Sequence, residues 1–384
     1  MDLTLTAEEE RFYQEAHTWL AANVPDGAHS PPGTPEAVQR SRAWDRALFE
    51  AGWSVLTWPA RYGGRDASIM QWLLFEDAYH SLDAPYRLSQ NGISLLAPTV
   101  MEYGTDRQKE QILLPMARGD VIWAQAWSEP GAGSDLAALT SKATKVPGGF
   151  RLDGRKIWSS HAASADMAFG LFRTGDPGER HRGLTYLLMP LDAAGVTISP
   201  IPRIDGHASF AEIQFDNVFV PDDDVLGGVG RGWQVAMATT GSERGFALRS
   251  PGRFVSAAER LLSLLDSSVA RQFPDLVDRA AQMWQDARAY RLRVLAMAAR
   301  VGRGESVGAE SSFDKLYWSE LDVRLNELAL DILSATGFPE TNDPKLRRWL
   351  EGLVTALPGT IWGGTNEIQR NILAQRALAL PRSY

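Results

Sequence analysis

The 384-residue chain has no cysteine, which excludes disulfides, thiolate metal sites and cysteine nucleophiles together. Histidine is scarce as well. Its six copies stand at 17, 29, 80, 161, 181 and 207, and no two share the i, i+3 or i, i+4 spacing that puts two ligands on one helix face, so no metal site is expected. No run of ~18 apolar residues is present, which argues against a transmembrane span. Basic runs are missing too: 39 Lys+Arg face 47 Asp+Glu for a formal net charge of −8, so neither nucleic acid nor a membrane surface is an expected partner. The stretch Met1 to Phe12 is acidic and lacks the apolar segment of a signal peptide, and a cytoplasmic location is expected. Neither a G-x-S-x-G elbow, a G-x-x-x-x-G-K-[ST] loop nor a G-x-G-x-x-G turn after a strand occurs.

What is there is the composition of an average soluble protein, 44% hydrophobic and 22% charged, too apolar to stay disordered. At roughly 100–200 residues per domain, the length calls for two or three domains. The first third is helical. Thr6 to Glu9 reads as a capping box, and Phe12, Ala16, Trp19 and Leu20 follow at helical spacing. Pro25 ends that helix, a Pro/Gly/Ser linker follows from Gly27 to Pro35, and further helices are predicted near 36–51, 67–82, 91–103 and 106–117. From 121 to about 226 the pattern changes to short apolar or alternating runs, at 121–126, 150–152, 156–158, 168–172, 184–189, 196–201 and 211–220. Asp153-Gly154 between two of them predicts a hairpin. Seven short strands without intervening helices predict a small β-sandwich or barrel. Helical periodicity returns at 232–266, 275–302, 311–336 and 344–356, with a last helix from about Asn366, and predicts an antiparallel bundle. The expected domains are 1–120 (helical), 121–228 (β) and 229–384 (helical bundle).

Three segments carry candidate chemistry. Ala126 to Asp135 reads Ala-Trp-Ser-Glu-Pro-Gly-Ala-Gly-Ser-Asp directly after a strand. Its glycines and proline permit a tight turn whose N–H groups face an anion or a polar ring edge. Lys156 to His161 ends a strand with Trp158 followed by hydroxyls, a combination able to stack on a flat heteroaromatic ring and bond its edge. Trp362 to Arg370 places Gly363-Gly364 before Thr365, the expected N-cap of the last helix, where a phosphate or acidic group is favoured. Taken singly, each has a plainer reading: an ordinary turn, a core tryptophan, a capped helix. Trp58, Trp127, Trp158 and Trp362 all adjoin turn residues, where a ring can face a ligand.

Taken together and in this order, the segments resemble the acyl-CoA dehydrogenases over essentially the whole chain. The resemblance rests on Ser128-Glu129-Pro130-Gly131-Ala132-Gly133-Ser134-Asp135, on Gly154-x-Lys156-x-Trp158 and on Gly364-Thr365-x-Glu367-Ile368-Gln369-Arg370. It implies an N-terminal helical domain, a central β-domain and a C-terminal four-helix bundle enclosing FAD. It also implies that the segment holding Gln125, Trp127, Ser128, Gly133 and Ser134 meets the isoalloxazine edge, with Ser128 bonding the ring. Trp158 would lie against the flavin, Ser160 near its N5/O4 side, and Thr365 and Glu367 near the adenosine half. Ser134 and Arg244 match positions that contact the CoA portion of the substrate.

Two departures stand out. Members that carry Arg-x-x-Phe-Gly use it to hold the FAD diphosphate across a subunit boundary. Here Val269 to Pro274 fits that pattern poorly and leaves Arg271 as the candidate. The glutamine that often precedes a later Gly-Gly-x-Gly is missing from Leu333 to Gly337. In many members the catalytic carboxylate stands just before the Gly-Thr of the last segment, and here that position is Gly363. Others carry it on the first helix of the C-terminal bundle, where this chain has Glu243 followed by Arg244. Glu243 is the expected base, the alternative being a solvated Glu243–Arg244 pair.

The resemblance implies FAD-dependent α,β-dehydrogenation of an acyl-CoA thioester, electrons leaving to an electron-transfer flavoprotein, in a homo-oligomeric dimer or tetramer. Two alternatives stay open. One is a flavin oxidase or carrier-protein thioester dehydrogenase on the same fold. The other is a non-catalytic or half-site chain that needs a sister subunit.

Overall fold

A computed structural model describes residues 4–25, 34–243, 250–265, 267–305, 307–337, 340 and 343–381. Helices come first: α1 (Ala7–Asn23), α2 (Pro35–Glu50), α3 (Ile69–Ser81), α4 (Ala97–Tyr103) and α5 (Asp106–Ala117). The strands follow: β1 (Trp123–Ala126), β2 (Lys142–Val146), β3 (Gly149–Ser160), β4 (Met167–Arg173), β5 (Leu184–Pro190), β6 (Val196–Ile201), β7 (Phe210–Pro221) and β8 (Val225–Leu226). The chain then returns to helix with α6 (Gly232–Glu243), α7 (Pro251–Leu262), α8 (Ser267–Gln272), α9 (Pro274–Gly302), α10 (Glu310–Ala335), α11 (Pro344–Ala356) and α12 (Asn366–Ile372). The fold is thus helical, then β, then helical. No described helix is long and apolar enough to cross a membrane. The helix starts are chemically marked. Thr6, Ser68 and Thr105 each accept the N3 backbone N–H while the N3 Glu or Gln reaches back, satisfying donors that a helix start leaves open.

Packing groups these elements differently from their order. One compact unit comprises 1–29, 67–84 and 244–384, the other 30–66 and 85–243. In the first, Leu73 of α3 shares a core with Phe254 and Leu261 of α7, Tyr290 of α9, Trp318 of α10 and Trp349 of α11. α3 joins the C-terminal helices because it has almost no polar face; Leu73, Leu74, Phe75, Ala78 and Tyr79 are all buried. Gly252 permits the close approach of α7, since a Cβ there would lie 2.8 Å from the Asp77 Cα. Arg291 of α9 donates to Asp77 Oδ2 through Nε at 2.9 Å and a terminal nitrogen at 2.6 Å.

In the second unit the strands form one hydrogen-bonded sheet in the order β6-β7-β3-β2-β4-β5-β8, with β1 pairing parallel to β4. Side chains from β1, β2, β3, β4, β5 and β7 converge on one core around Phe150, Leu152, Phe172, Ile213 and Phe215, as a sandwich or barrel requires.

Three sequence expectations are corrected. Asp153-Gly154 is not a hairpin. β3 runs straight through it with a register shift between Leu152 and Gly154, and the turn lies at Pro147-Gly148, between β2 and β3. A glycine in a strand marks a close approach of neighbouring chain as readily as a turn, and the extra residue at this shift belongs to β7. Here Gly154 has φ 146°, and a Cβ would sit 2.3 Å from the Ser141 Oγ. Strand β2, Lys-Ala-Thr-Lys-Val, escaped notice because only Ala143 is fully buried and its apolar signal is faint. The stretch 232–266 holds two helices rather than one, and Pro251 begins the second. Its first part, α6, packs in the β-containing unit, against β5 and α4.

Candidate functional site

β1 delivers Gln125 and Ala126 beside Phe169 and Gly170 of β4, and the chain then turns. Glu129 and Ala132 exchange both backbone hydrogen bonds at 3.0 Å, leaving Pro130-Gly131 as the exposed tip. A Cβ added at Gly131 or Gly133 would meet nothing within 4 Å, and neither residue has a positive φ. Their lack of side chains is therefore not demanded by this chain's own packing and leaves the backbone open to an approaching group. Ser134 is exposed, and Gln125 and Ser128 are half-buried. Trp127 is buried with its ring edge-on to Tyr186, centroids 6.2 Å apart. Its indole N–H has no hydrogen-bond partner.

The end of β3 carries the most unusual geometry. Lys156 pairs with Ile213 of β7 and Ser159 with Ala211, so three steps on β3 match two on β7. This is a β-bulge, and Trp158 within it has φ 61°, a left-handed conformation that costs a non-glycine residue roughly 1–2 kcal/mol. The extra residue changes the faces. Lys156 and Ser159 point inward, 0% and 1% exposed, while Trp158 is 57% exposed and stands edge-to-face with Phe210, at 6.1 Å and 85°. The Ile157 N–H is donated to the Ser128 carbonyl at 2.9 Å, joining the bulge to the turn. The buried Ser159 Oγ has no hydrogen-bond partner, and Ser160 is half-buried at the strand end. His161 follows, also left-handed at φ 58°.

Beneath these residues lies a buried ion pair. Lys156 Nζ donates to Glu129 Oε1 at 2.9 Å, to the Leu171 carbonyl at 2.7 Å and to the Trp127 carbonyl at 3.2 Å. Burial pushes the Lys156 ammonium down to about 8 although Glu129 pulls it up. Burial works against the Glu129 charge too, but Lys156 and the Thr140 and Ser141 donors hold its carboxyl at about 2.

The remaining predicted residues stand on other elements of the chain. Glu243 is the last residue of α6; its side chain, like that of Arg271 in α8, is outside the described residues, as is Arg244 altogether. Thr365 caps α12 by accepting the Ile368 N–H at 3.3 Å. That helix is only seven residues long, so its dipole is small. Glu367 is exposed, its carboxyl lowered by its own backbone N–H, the Thr365 hydroxyl and Arg370. Gly363 and Gly364 have φ 65° and 86°, and both carbonyls accept from Gln369 Nε2, at 2.7 and 3.3 Å. Asn366, the first residue of α12, is buried and accepts from Lys315 Nζ at 2.7 Å. Of the four singled-out tryptophans, Trp58 and Trp127 are core, while Trp158 and Trp362 are exposed.

Residues that sequence reasoning passed over are Lys156 and Glu129 as a pair, the Tyr86–His161 contact and the Lys315–Asn366 bond. Strict strand alternation would have put Lys156 and Trp158 on one face, so no local signal announced the buried lysine. The outward indole and the uncrowded glycine turn together fit a flat polar ring bound against this edge.

Three family models match successive parts of the chain: acyl-CoA dehydrogenase, N-terminal domain, over 6–120, middle domain over 124–218, and C-terminal domain over 230–378. The chain is 36% identical over 382 residues to acyl-CoA dehydrogenase IpdE1 of Mycobacterium tuberculosis, covering 97% of this chain and 98% of that one. Among solved structures it resembles the Tcur3481–Tcur3483 steroid ACAD, with a TM-score of 0.89, 28% identity and full coverage of both chains. It also resembles the ChsE4–ChsE5 complex from Mycobacterium tuberculosis, with a TM-score of 0.84, 28% identity and full coverage of both.

Proposed function

The chain belongs to the acyl-CoA dehydrogenase family, an FAD-dependent group of oxidoreductases, and from that premise we propose that it introduces an α,β double bond into an acyl-CoA thioester. The observation that carries the reading is the Trp158 indole turned outward on its bulge beside the open Gly131–Gly133 turn. In this proposal the Gln125 to Ser134 segment, Gln125, Trp127, Ser128, Gly133 and Ser134 among it, and the Trp158–Ser160 strand end hold the flavin ring. Ser128 offers its hydroxyl to the ring edge, Trp158 covers a face, and Ser160 faces the N5/O4 side. Thr365, Glu367 and Arg271 serve the adenosine and diphosphate half, and Ser134 and Arg244 the CoA. Bound there, FAD would supply the acceptor for the β-hydride. Glu243 removes the α-proton through its carboxylate, which needs a desolvated setting to hold the proton it takes. The domain bounds 1–120, 121–228 and 229–384 belong to the same proposal and are supported by the spans of the three matched family models.

For the substrate we propose a bulky, steroid-derived acyl-CoA. The support is the solved relative described as a steroid ACAD. Gly241 adds to it: glycine in a helix costs roughly 1 kcal/mol against alanine, yet a Cβ there, two residues before Glu243, would meet nothing within 4 Å. Linear and polycyclic acyl-CoAs compared for anaerobic bleaching of the flavin test this, and preferential bleaching by linear thioesters would overturn it. Parallel turnover with oxygen or with an electron-transfer flavoprotein separates a dehydrogenase from an oxidase. A carrier-protein thioester in the same panel tests the remaining enzyme alternative. A cytoplasmic location belongs to the same proposal and is checked by fractionation.

A second reading concerns assembly. Gly363 stands where many members carry the base, and both solved relatives bear the names of two components. These support a half-site chain completed by a sister subunit over a homo-oligomer. Sedimentation of the chain purified alone decides: a homo-oligomer with one FAD per chain removes the sister-subunit reading.

A further inference from the structure

Lys156 is 0% exposed and gives its ammonium protons to three acceptors: the Trp127 carbonyl just past β1, the Glu129 carboxylate in the turn and the Leu171 carbonyl in β4. Its Nζ also lies 4.9 Å from the Phe172 ring centroid. Glu129 in turn accepts from the Thr140 N–H at 2.6 Å, the Thr140 hydroxyl at 2.8 Å and the Ser141 N–H at 2.9 Å. One residue beyond Trp127 is Ser128, and two beyond Lys156 is Trp158. The pair therefore joins the two stretches of backbone that carry these side chains, and the Ile157–Ser128 backbone bond links them as well.

We propose that the Lys156–Glu129 pair is a positioning element, holding the Ser128 hydroxyl and the Trp158 indole at the separation that binds the flavin ring. Both residues thus act on the cofactor through others, without touching it. The energetics favour this over a role in stability. Desolvating two charges offsets most of their attraction, so a buried ion pair adds little over apolar residues of similar volume, whereas removing one partner strands the other charge. The lowered affinity of Lys156 for its proton reports that desolvation. What an apolar pair cannot reproduce is the set of directed bonds to Trp127, Leu171, Thr140 and Ser141.

The inference rests on the flavin reading above, and the experiment separates the two. FAD affinity and unfolding midpoint are measured for the purified protein, together with a sister subunit if one co-purifies. The same is done for Lys156→Met, the double variant Lys156→Met/Glu129→Leu, and Glu129→Gln. Lys156→Met alone should unfold most easily, because it leaves the Glu129 carboxylate buried and unpaired. The double variant should regain most of the lost midpoint yet bind FAD at least tenfold more weakly than wild type, with an altered flavin circular-dichroism band. Glu129→Gln presents an amide to the Thr140 donors and should fall between. FAD affinity that recovers in step with the midpoint overturns the proposal, and so does a double variant that does not fold, since the pair would then carry stability itself. A wild-type protein that binds no FAD overturns the flavin reading and takes this inference with it.

Discussion

The Tyr86 hydroxyl and His161 Nε2 stand 2.8 Å apart, with ring centroids at 5.2 Å, and this contact closes the strand end that carries Trp158 and Ser160. Burial, with Arg203 adding to it, lowers the His161 pKa to about 4. Burial also raises the Tyr86 phenol to about 12, with Asp45 adding to that rise. The imidazole is neutral at pH 7 and fixes its neighbour through a hydrogen bond without introducing a charge.

That pair gives a pH prediction. An unfolded histidine titrates near 6.5, so between about pH 6.5 and 4 the unfolded chain binds the proton that the folded chain refuses. The stability tied to neutral His161 is complete above pH 6.5 and is lost as pH falls toward 4, by on the order of 2 kcal/mol after allowance for partial exposure. Asp45 runs the other way: burial raises it to about 6, so its contribution is complete at low pH and fades as pH rises through 6. Comparing wild type with His161→Asn cancels Asp45, and asparagine tolerates the left-handed φ. Urea midpoints at pH 4.5 and 7.5 should show the wild type losing more stability than the variant; an equal loss in both would refute the assignment.

Trp158→Ala should weaken FAD retention more than Trp19→Ala. Trp158 is 57% exposed at the bulge, whereas Trp19 sits half-buried on α1. Loss of ring stacking costs about 1 kcal/mol beyond buried area, roughly fivefold in affinity. Equal FAD content after gel filtration of the two variants is the outcome against it.

Glu243→Gln should keep fold and FAD and remove nearly all substrate-driven flavin reduction, since an amide cannot accept the α-proton. Loss of a general base costs ~10²–10⁴-fold. Stopped-flow reduction at the wild-type rate would return Glu243 to the role of a surface partner of Arg244.

A carboxylate at position 363 is the complementary test of Glu243. With φ 65°, Gly363→Ala should cost about 1–2 kcal/mol in denaturant unfolding. Gly363→Glu in the Glu243→Gln background carries the same strain but should restore part of the flavin reduction if both positions reach one α-carbon. No recovery in a folded, flavin-loaded double variant would show that they do not.

Much of the architecture is written locally. Thr6, Ser68 and Thr105 announce helices through residues three positions away, Pro251 starts one, and apolar spacing marks α1 with Phe12, Ala16 and Leu20 inward. Such signals involve only neighbours in sequence, so the chain alone determined the helix–strand–helix order and the place of the Trp127–Asp135 turn. What the Trp158 ring faces was decided elsewhere. It depends on one extra residue opposite Ile213 and Ala211 of β7, more than fifty positions along the chain, and that bulge turns the tryptophan out and the lysine in. Asp153-Gly154 runs on as strand opposite the extra residue of β7 instead of turning as a hairpin, and α3 joined the C-terminal helices because its apolar circumference had to be covered from several sides. Residues adjacent in sequence determine their own backbone; the face a side chain shows depends on strand register and on the partners that packing brings, and only the tertiary structure sets those.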